Sequence, residues 1–166
     1  MPRSFLKILF LVSCLSGFLS CEKKPAVRTN LPDLKDALAA LGPSAPVDCD
    51  LSEMGANMVY AEVFNMMIEP ESYNGKSVRM RGNFAVYDNE MTGRKSYAVI
   101  VSDALACCQQ GIEFAYDFAG KEPEEGGIIT VTGIYVSSLL KDDIAYNYVE
   151  AACVEMPHEQ PAQSEK

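Results

Sequence analysis

Tryptophan is absent from this 166-residue chain, and histidine occurs once, at His158. The first absence leaves eight tyrosines and seven phenylalanines to supply any aromatic binding surface. The second removes catalytic arrangements that need an imidazole base. His158 itself follows Pro157 in a polar tail and reads as a solvated side chain. No apolar run reaches the about 20 residues that span a bilayer. Basic residues are scarce, 14 Lys and Arg against 23 Asp and Glu, giving a net charge of −9. That balance excludes nucleic acid as a partner, because phosphates are held by Lys and Arg. It equally opposes docking on anionic lipid through a basic patch. Neither a phosphate-cradling glycine loop nor a dinucleotide fingerprint is present. Loop carboxylates such as Asp88, Glu90, Asp142 and Asp143 have no fixed spacing and read as solvated charges.

What is present begins at the N-terminus. Arg3 and Lys7 precede an uncharged stretch from Ile8 to Leu19, closed by Leu19-Ser20-Cys21 and then Glu22-Lys23-Lys24. A basic start, a short apolar core and a small residue before the cut form an export signal. A cysteine at the cut makes the signal resemble that of a bacterial lipoprotein, with Cys21 lipidated as the mature N-terminus. Phe18 stands where such signals usually carry Leu. Leu11-Val12-Ser13-Cys14 fits the wording better, but cutting there leaves too short an apolar core. More than one fatty chain anchors a protein durably. The expectation is an extracytoplasmic, membrane-anchored protein of the cell envelope. Without Arg3 and Lys7 the mature chain holds 12 basic and 23 acidic residues, a net charge of −11.

The expected organisation is a signal peptide at 1–20, a tether at 21–52, a domain at 53–156 and a disordered tail at 157–166. Pro25, Pro32, Pro43 and Pro46 punctuate the tether. Leu34, Leu38 and Leu41 share one face of a short helix that is marginal by itself. Asn57 to Ile68 is a stronger amphipathic helix, ended by Pro70, with its methionines as core filler. Strands are expected at 78–86, 97–101, 112–118, 128–136 and 146–154, from alternating apolar positions separated by Gly, Asn and Pro turns. Gly82 and Gly133 fall in the inward phase of their strands and mark kinks or bulges. The fold class is therefore mainly β: a small OB-like five-stranded barrel preceded by one amphipathic helix, because closure removes exposed edges. A two-layer antiparallel sheet is the alternative.

Met67-Ile68, Pro70, the Tyr73-x-Gly75-Lys76-x-Val78-x-x-x-Gly82 stretch, a strand ending near Asp103, Cys107-Cys108 and Val131-Thr132-Gly133 follow one another in order. This resembles the extracytoplasmic domain of the YcgQ-like bacterial family, proteins of unknown function that accompany a predicted permease. The resemblance spans about residues 66–136 and implies an OB-like extracytoplasmic domain. This chain lacks the family's membrane helices, so a permease role does not carry over.

Four cysteines remain in the domain region: Cys49, Cys107, Cys108 and Cys153. An oxidising compartment favours disulfides, and four cysteines allow three pairings. Stapling of the Cys107-Cys108 pair to Cys153 or Cys49 is one reading, with the pair in a bend beside the last strand. Soft-metal binding, zinc for example, is a second, with Asp103 or Glu113 as an added carboxylate ligand. A redox couple is the third, although the Cys-x-x-Cys spacing is missing. The functional expectation is a lipid-anchored binding domain that is not an enzyme, with an envelope protein or a small ligand as partner. A metal- or thiol-handling lipoprotein using Cys107 and Cys108 is the alternative.

Overall fold

Apolar side chains recur at every second position in five segments, and each of them is a strand in the computed structural model, which describes residues 33–90, 93–139 and 145–156. The N-terminal segment with Cys14 and Cys21, expected to be a signal, the carboxylates Asp142 and Asp143, and the tail with His158 lie outside the described residues. The elements in order are α1 (Leu34–Ala39), β1 (Cys49–Asp50), α2 (Ala56–Ile68), β2 (Ser77–Asn89), β3 (Arg94–Ser102), β4 (Gln109–Ala115), β5 (Ile128–Leu139) and β6 (Ala145–Glu155). No described helix is long and apolar enough to cross a membrane.

The five long strands close on themselves in the order β2-β3-β4-β6-β5, with β5 returning to β2. All neighbours are antiparallel except β4 and β6, which run parallel from Glu113 beside Tyr148 to Ala115 beside Glu150. This is the closed OB-like barrel expected, with the two-residue β1 added alongside β2. Closure depends on β2 serving two partners. Ser77 to Asn83 pair with β5, and Asn83 to Asn89 pair with β3. Gly82 sits at this changeover, where a Cβ would meet the Ile100 carbonyl and the Val99 side chain. Gly133 sits beside a register shift in the β5–β6 ladder, with the Glu150 carbonyl and Ala151 backbone against it. Both glycines are where strands approach too closely for a side chain.

Inside the barrel, Val78, Met80 and Phe84 meet Val99, Val101, Ile112, Phe114, Ile129, Val131, Tyr135 and Val149. Helix α2 closes the barrel by inserting Val59, Val63 and Met66 into this core. A 13-residue helix without a side-chain N-cap is marginal alone. Burying three such side chains, at about 1.5–3 kcal/mol each, holds it in place. The buried Tyr135 hydroxyl donates to the Met66 carbonyl at 2.6 Å, satisfying a backbone acceptor in the last turn of α2. The filler role holds for Met66 but not for Met58 and Met67, which are 63% and 39% exposed.

Strands β2, β3 and β5 run longer than expected, to Asn89, from Arg94 to Ser102 and to Leu139, and two further boundaries differ from the sequence reading. Strand β4 ends at Ala115 rather than 118, because Asp117 turns the chain by accepting the Ala119 amide and Ala119 takes a left-handed conformation. Tyr116 and Phe118 leave the ladder yet still pack on the core, Phe118 edge-on to Tyr97. The segment from Asp33 to Ser52 is not a free tether. Leu34, Leu38 and Leu41 pack against Ile134, Val136 and Tyr148 on the outer face of β5 and β6. The Arg79 guanidinium then grips the following stretch through Asp50 and the Ala45 carbonyl. The helix is short, and burial of its leucines on the barrel supplies the stability its length lacks.

Candidate functional site

With α1 over β5 and β6 and α2 in the barrel mouth, the outer face of β3 and β4 is bordered only by the end of α2, through Met67. The reason lies in the sequence of β3. Tyr97 to Val101 is apolar at every position, so Tyr97, Val99 and Val101 fill the core while Ala98 and Ile100 form a second apolar face. Gly111 lies opposite Ile100 in the ladder, and its missing side chain leaves the space that the Ile100 Cδ1 atom occupies.

A cleft of about 360 Å³ opens there, lined by Met67, Tyr87, Ala98, Ile100, Glu113 and Tyr146, with Asn147 of β6 at its margin. Glu113 organises the polar side. Its carboxylate accepts from the Asn89 amide at 2.9 and 3.0 Å, from the Tyr146 hydroxyl, and from the Tyr87 hydroxyl. Burial, then the hydrogen bond and charge of Glu113, push both tyrosine hydroxyls well above the ordinary phenol range. They are fixed donors toward one carboxylate. Among the described residues, the buried Asn147 Oδ1 has no hydrogen-bond partner. An acceptor left this way costs about 1–3 kcal/mol.

The cysteines occupy other places. Cys107 and Cys108 lie together, exposed, in the loop joining β3 to β4, as the bend reading expected. Asp103 closes this loop: its amide donates to the Cys108 carbonyl at 3.1 Å, and its Oδ1 accepts the Cys107 amide at 3.0 Å. The Cys107 thiol donates to Asp103 Oδ2 at 3.2 Å, and the two sulfurs are 3.9 Å apart. The hydrogen bond to Asp103, then the neighbouring Cys108, raise the Cys107 thiol to about 11. A thiol so raised is a poor nucleophile at neutral pH, the opposite of what a redox centre needs. The same thiol, with the loop amides, holds Asp103 below the usual carboxylate range.

Cys49 and Cys153 do not join them. Cys49 pairs with Val78 on β1 and packs on the core, and burial raises its thiol. Cys153 stands opposite Thr132 on β6, again raised by burial. The parallel β4–β6 ladder explains why the expected approach of Cys153 to the pair fails. Glu113 lies beside Tyr148, so Cys108, five residues earlier on one strand, and Cys153, five residues later on the other, flank opposite ends of the ladder. All four thiols are free, and stapling does not describe this fold. Glu113 likewise belongs to the cleft and not to the thiol loop, whose carboxylate is Asp103.

No family model, curated protein or solved structure matches this chain. The OB-like assignment stands on the strand order and ladder directions alone. Sequence reasoning missed Tyr87, Ile100, Tyr146 and Asn147 as site residues. The uniformly apolar run Tyr97 to Val101 was the available signal, because a one-sided strand would have alternated.

Proposed function

We propose that the protein is a lipid-anchored binding domain of the cell envelope, not a catalyst, that uses the β3–β4 cleft to hold a partly apolar ligand carrying a hydrogen-bond donor. The observation that carries this reading is a cleft in which Met67, Tyr87, Ile100 and Tyr146 surround a single carboxylate acceptor, Glu113. OB-fold barrels use the outer face of their second and third strands for ligands, and β3 and β4 hold those positions here. The ligand is neutral or cationic. Glu113 and a chain charge of −9 disfavour an anion. Lipidation at Cys21 would keep the domain at the membrane, where a small envelope molecule or the side chain of an envelope protein is the partner. The resemblance to the YcgQ-like family supports the location and contributes no residue role to the cleft.

The absence of tryptophan makes the test direct, since an indole probe is read without background. Tryptamine, an apolar ring with a cationic donor, should shift its emission to the blue on titration with the protein. Ile100→Asp should abolish the shift and Glu113→Gln should weaken it. A shift unchanged by Ile100→Asp, or none at millimolar tryptamine, contradicts the reading.

A further inference from the structure

The loop that joins β3 to β4 carries a second constellation, independent of the cleft. In a regular strand neighbouring side chains point to opposite faces, so adjacent cysteines ordinarily diverge. Here they do not. Ala106 takes a left-handed φ of 54°, and the turn brings the Cys107 and Cys108 sulfurs within 3.9 Å on one side of the chain. Asp103 Oδ2 completes the group at 3.2 Å from the Cys107 sulfur, and the three ligand atoms all lie within 4.8 Å of one another.

Two of those separations, sulfur to sulfur and the Cys107 sulfur to oxygen, are close to a defined coordination shape. With Zn–S bonds of about 2.3 Å, two sulfurs at corners of a tetrahedron stand about 3.8 Å apart. A sulfur and a carboxylate oxygen at about 2.0–2.2 Å from the same ion stand roughly 3.5 Å apart. The loop presents 3.9 and 3.2 Å before any ion enters. Its frame is also fixed from outside, since the Ala104 amide donates to Asn57 Oδ1 at the start of α2. Asp103 divides its work. Oδ1 takes the Cys107 and Cys108 amides, which leaves a lone pair on Oδ2 for a cation once the Cys107 thiol gives up its proton.

We propose that Asp103, Cys107 and Cys108 form a three-ligand site for a soft divalent cation of the zinc type, with the fourth coordination position open to solvent. Binding releases one proton from each thiol to solvent, and the two thiolates and one carboxylate then coordinate the ion. Two thiolates favour zinc and its soft neighbours over magnesium or calcium, which select oxygen ligands. The open position and the exposed Cys107 and Cys108 suit an ion that is loaded and passed on, in contrast to a closed structural site.

The test uses the full chain purified in detergent under a phosphine reductant, with cobalt(II) as the spectroscopic probe and zinc(II) as competitor. One cobalt per chain should bind with a thiolate-to-metal charge-transfer band, with two protons released, and zinc should displace it. Cys107→Ser, Cys108→Ser and Asp103→Asn should each weaken binding by at least about tenfold, the loss that removal of even an outer partner produces. Cys14→Ser, Cys21→Ser, Cys49→Ser and Cys153→Ser should leave the band in place, and far-ultraviolet dichroism should report an unchanged fold in every variant. A missing charge-transfer band, or binding that survives Cys107→Ser and Cys108→Ser, overturns the proposal. Ile100→Asp should not affect cobalt binding, so failure here and failure of the cleft are separable.

Discussion

The Arg79 guanidinium donates to the Asp50 carboxylate at 2.8 Å, with the arginine side chain only 12% exposed and the aspartate 41%. The same guanidinium reaches the Ala45 carbonyl at 2.6 Å and Thr132 Oγ1 at 3.2 Å. One side chain on β2 thus ties the segment before α2 to the barrel wall. Arg79→Ala should cost about 1.5–3 kcal/mol in denaturant unfolding, the scale of hydrogen bonds to a charged group. It should also open the segment from Gly42 to Asp50 to limited proteolysis. Arg79→Lys should rescue little, because an ammonium cannot span Asp50, Ala45 and Thr132 together.

Acid should loosen the same segment. Asp48 is held below the usual carboxylate value of 3.8 by the Ser77 hydroxyl and amide. Burial pushes Asp50 up, but its Ser52 hydrogen bonds and Arg79 outweigh that and leave it lowered as well. The stability that these two carboxylates contribute is complete above 3.8, the unfolded value, and is lost as pH falls through the lower folded values. Melting temperature against pH should therefore fall more steeply below about pH 4 in the native chain than in Asp48→Asn. Parallel curves would assign acid sensitivity to other groups.

The two strand glycines give a sharper test of barrel closure. Gly82→Val and Gly133→Val should each lose at least about 1–3 kcal/mol through overpacking against strand backbone. Gly42→Ala should be close to neutral, because nothing lies within 4 Å of a Cβ there. Equal tolerance at all three positions would mean that the strands do not approach as described.

Cys21→Ser should move the protein from the membrane fraction to the soluble fraction and leave the circular dichroism of the domain unchanged. Membrane retention by that variant would point to an uncleaved anchor segment and away from lipidation.

Most of the barrel was legible because period-two alternation is local: Val78, Met80, Phe84 and their counterparts announce both strand and inward face. The in-phase glycines at 82 and 133 announced the bends for the same reason. What escaped depends on partners distant in the chain. The leucines of α1 were visible as a stripe, but only the outer face of β5 and β6 makes a six-residue helix stable. Cys153 is expected beside the pair from sequence because the last strand of a five-stranded barrel returns to close the sheet. The ladder direction that separates them, parallel to β4, is invisible in sequence. The cleft needs Tyr87, Ile100, Glu113 and Asn147 from four strands, and no motif links residues so spaced.

The cleft is the central claim, and site-specific photocrosslinking in living cells tests it most directly. A photoreactive residue at Ile100 or Tyr87, inside the cleft, should give a discrete adduct on illumination. The same residue at the exposed Lys35 on α1 should give none. Ile100→Asp should remove the Tyr87 adduct without lowering the amount of protein. An identical adduct from Lys35, or no adduct from either cleft position, would contradict the assignment of the β3–β4 face as the binding surface.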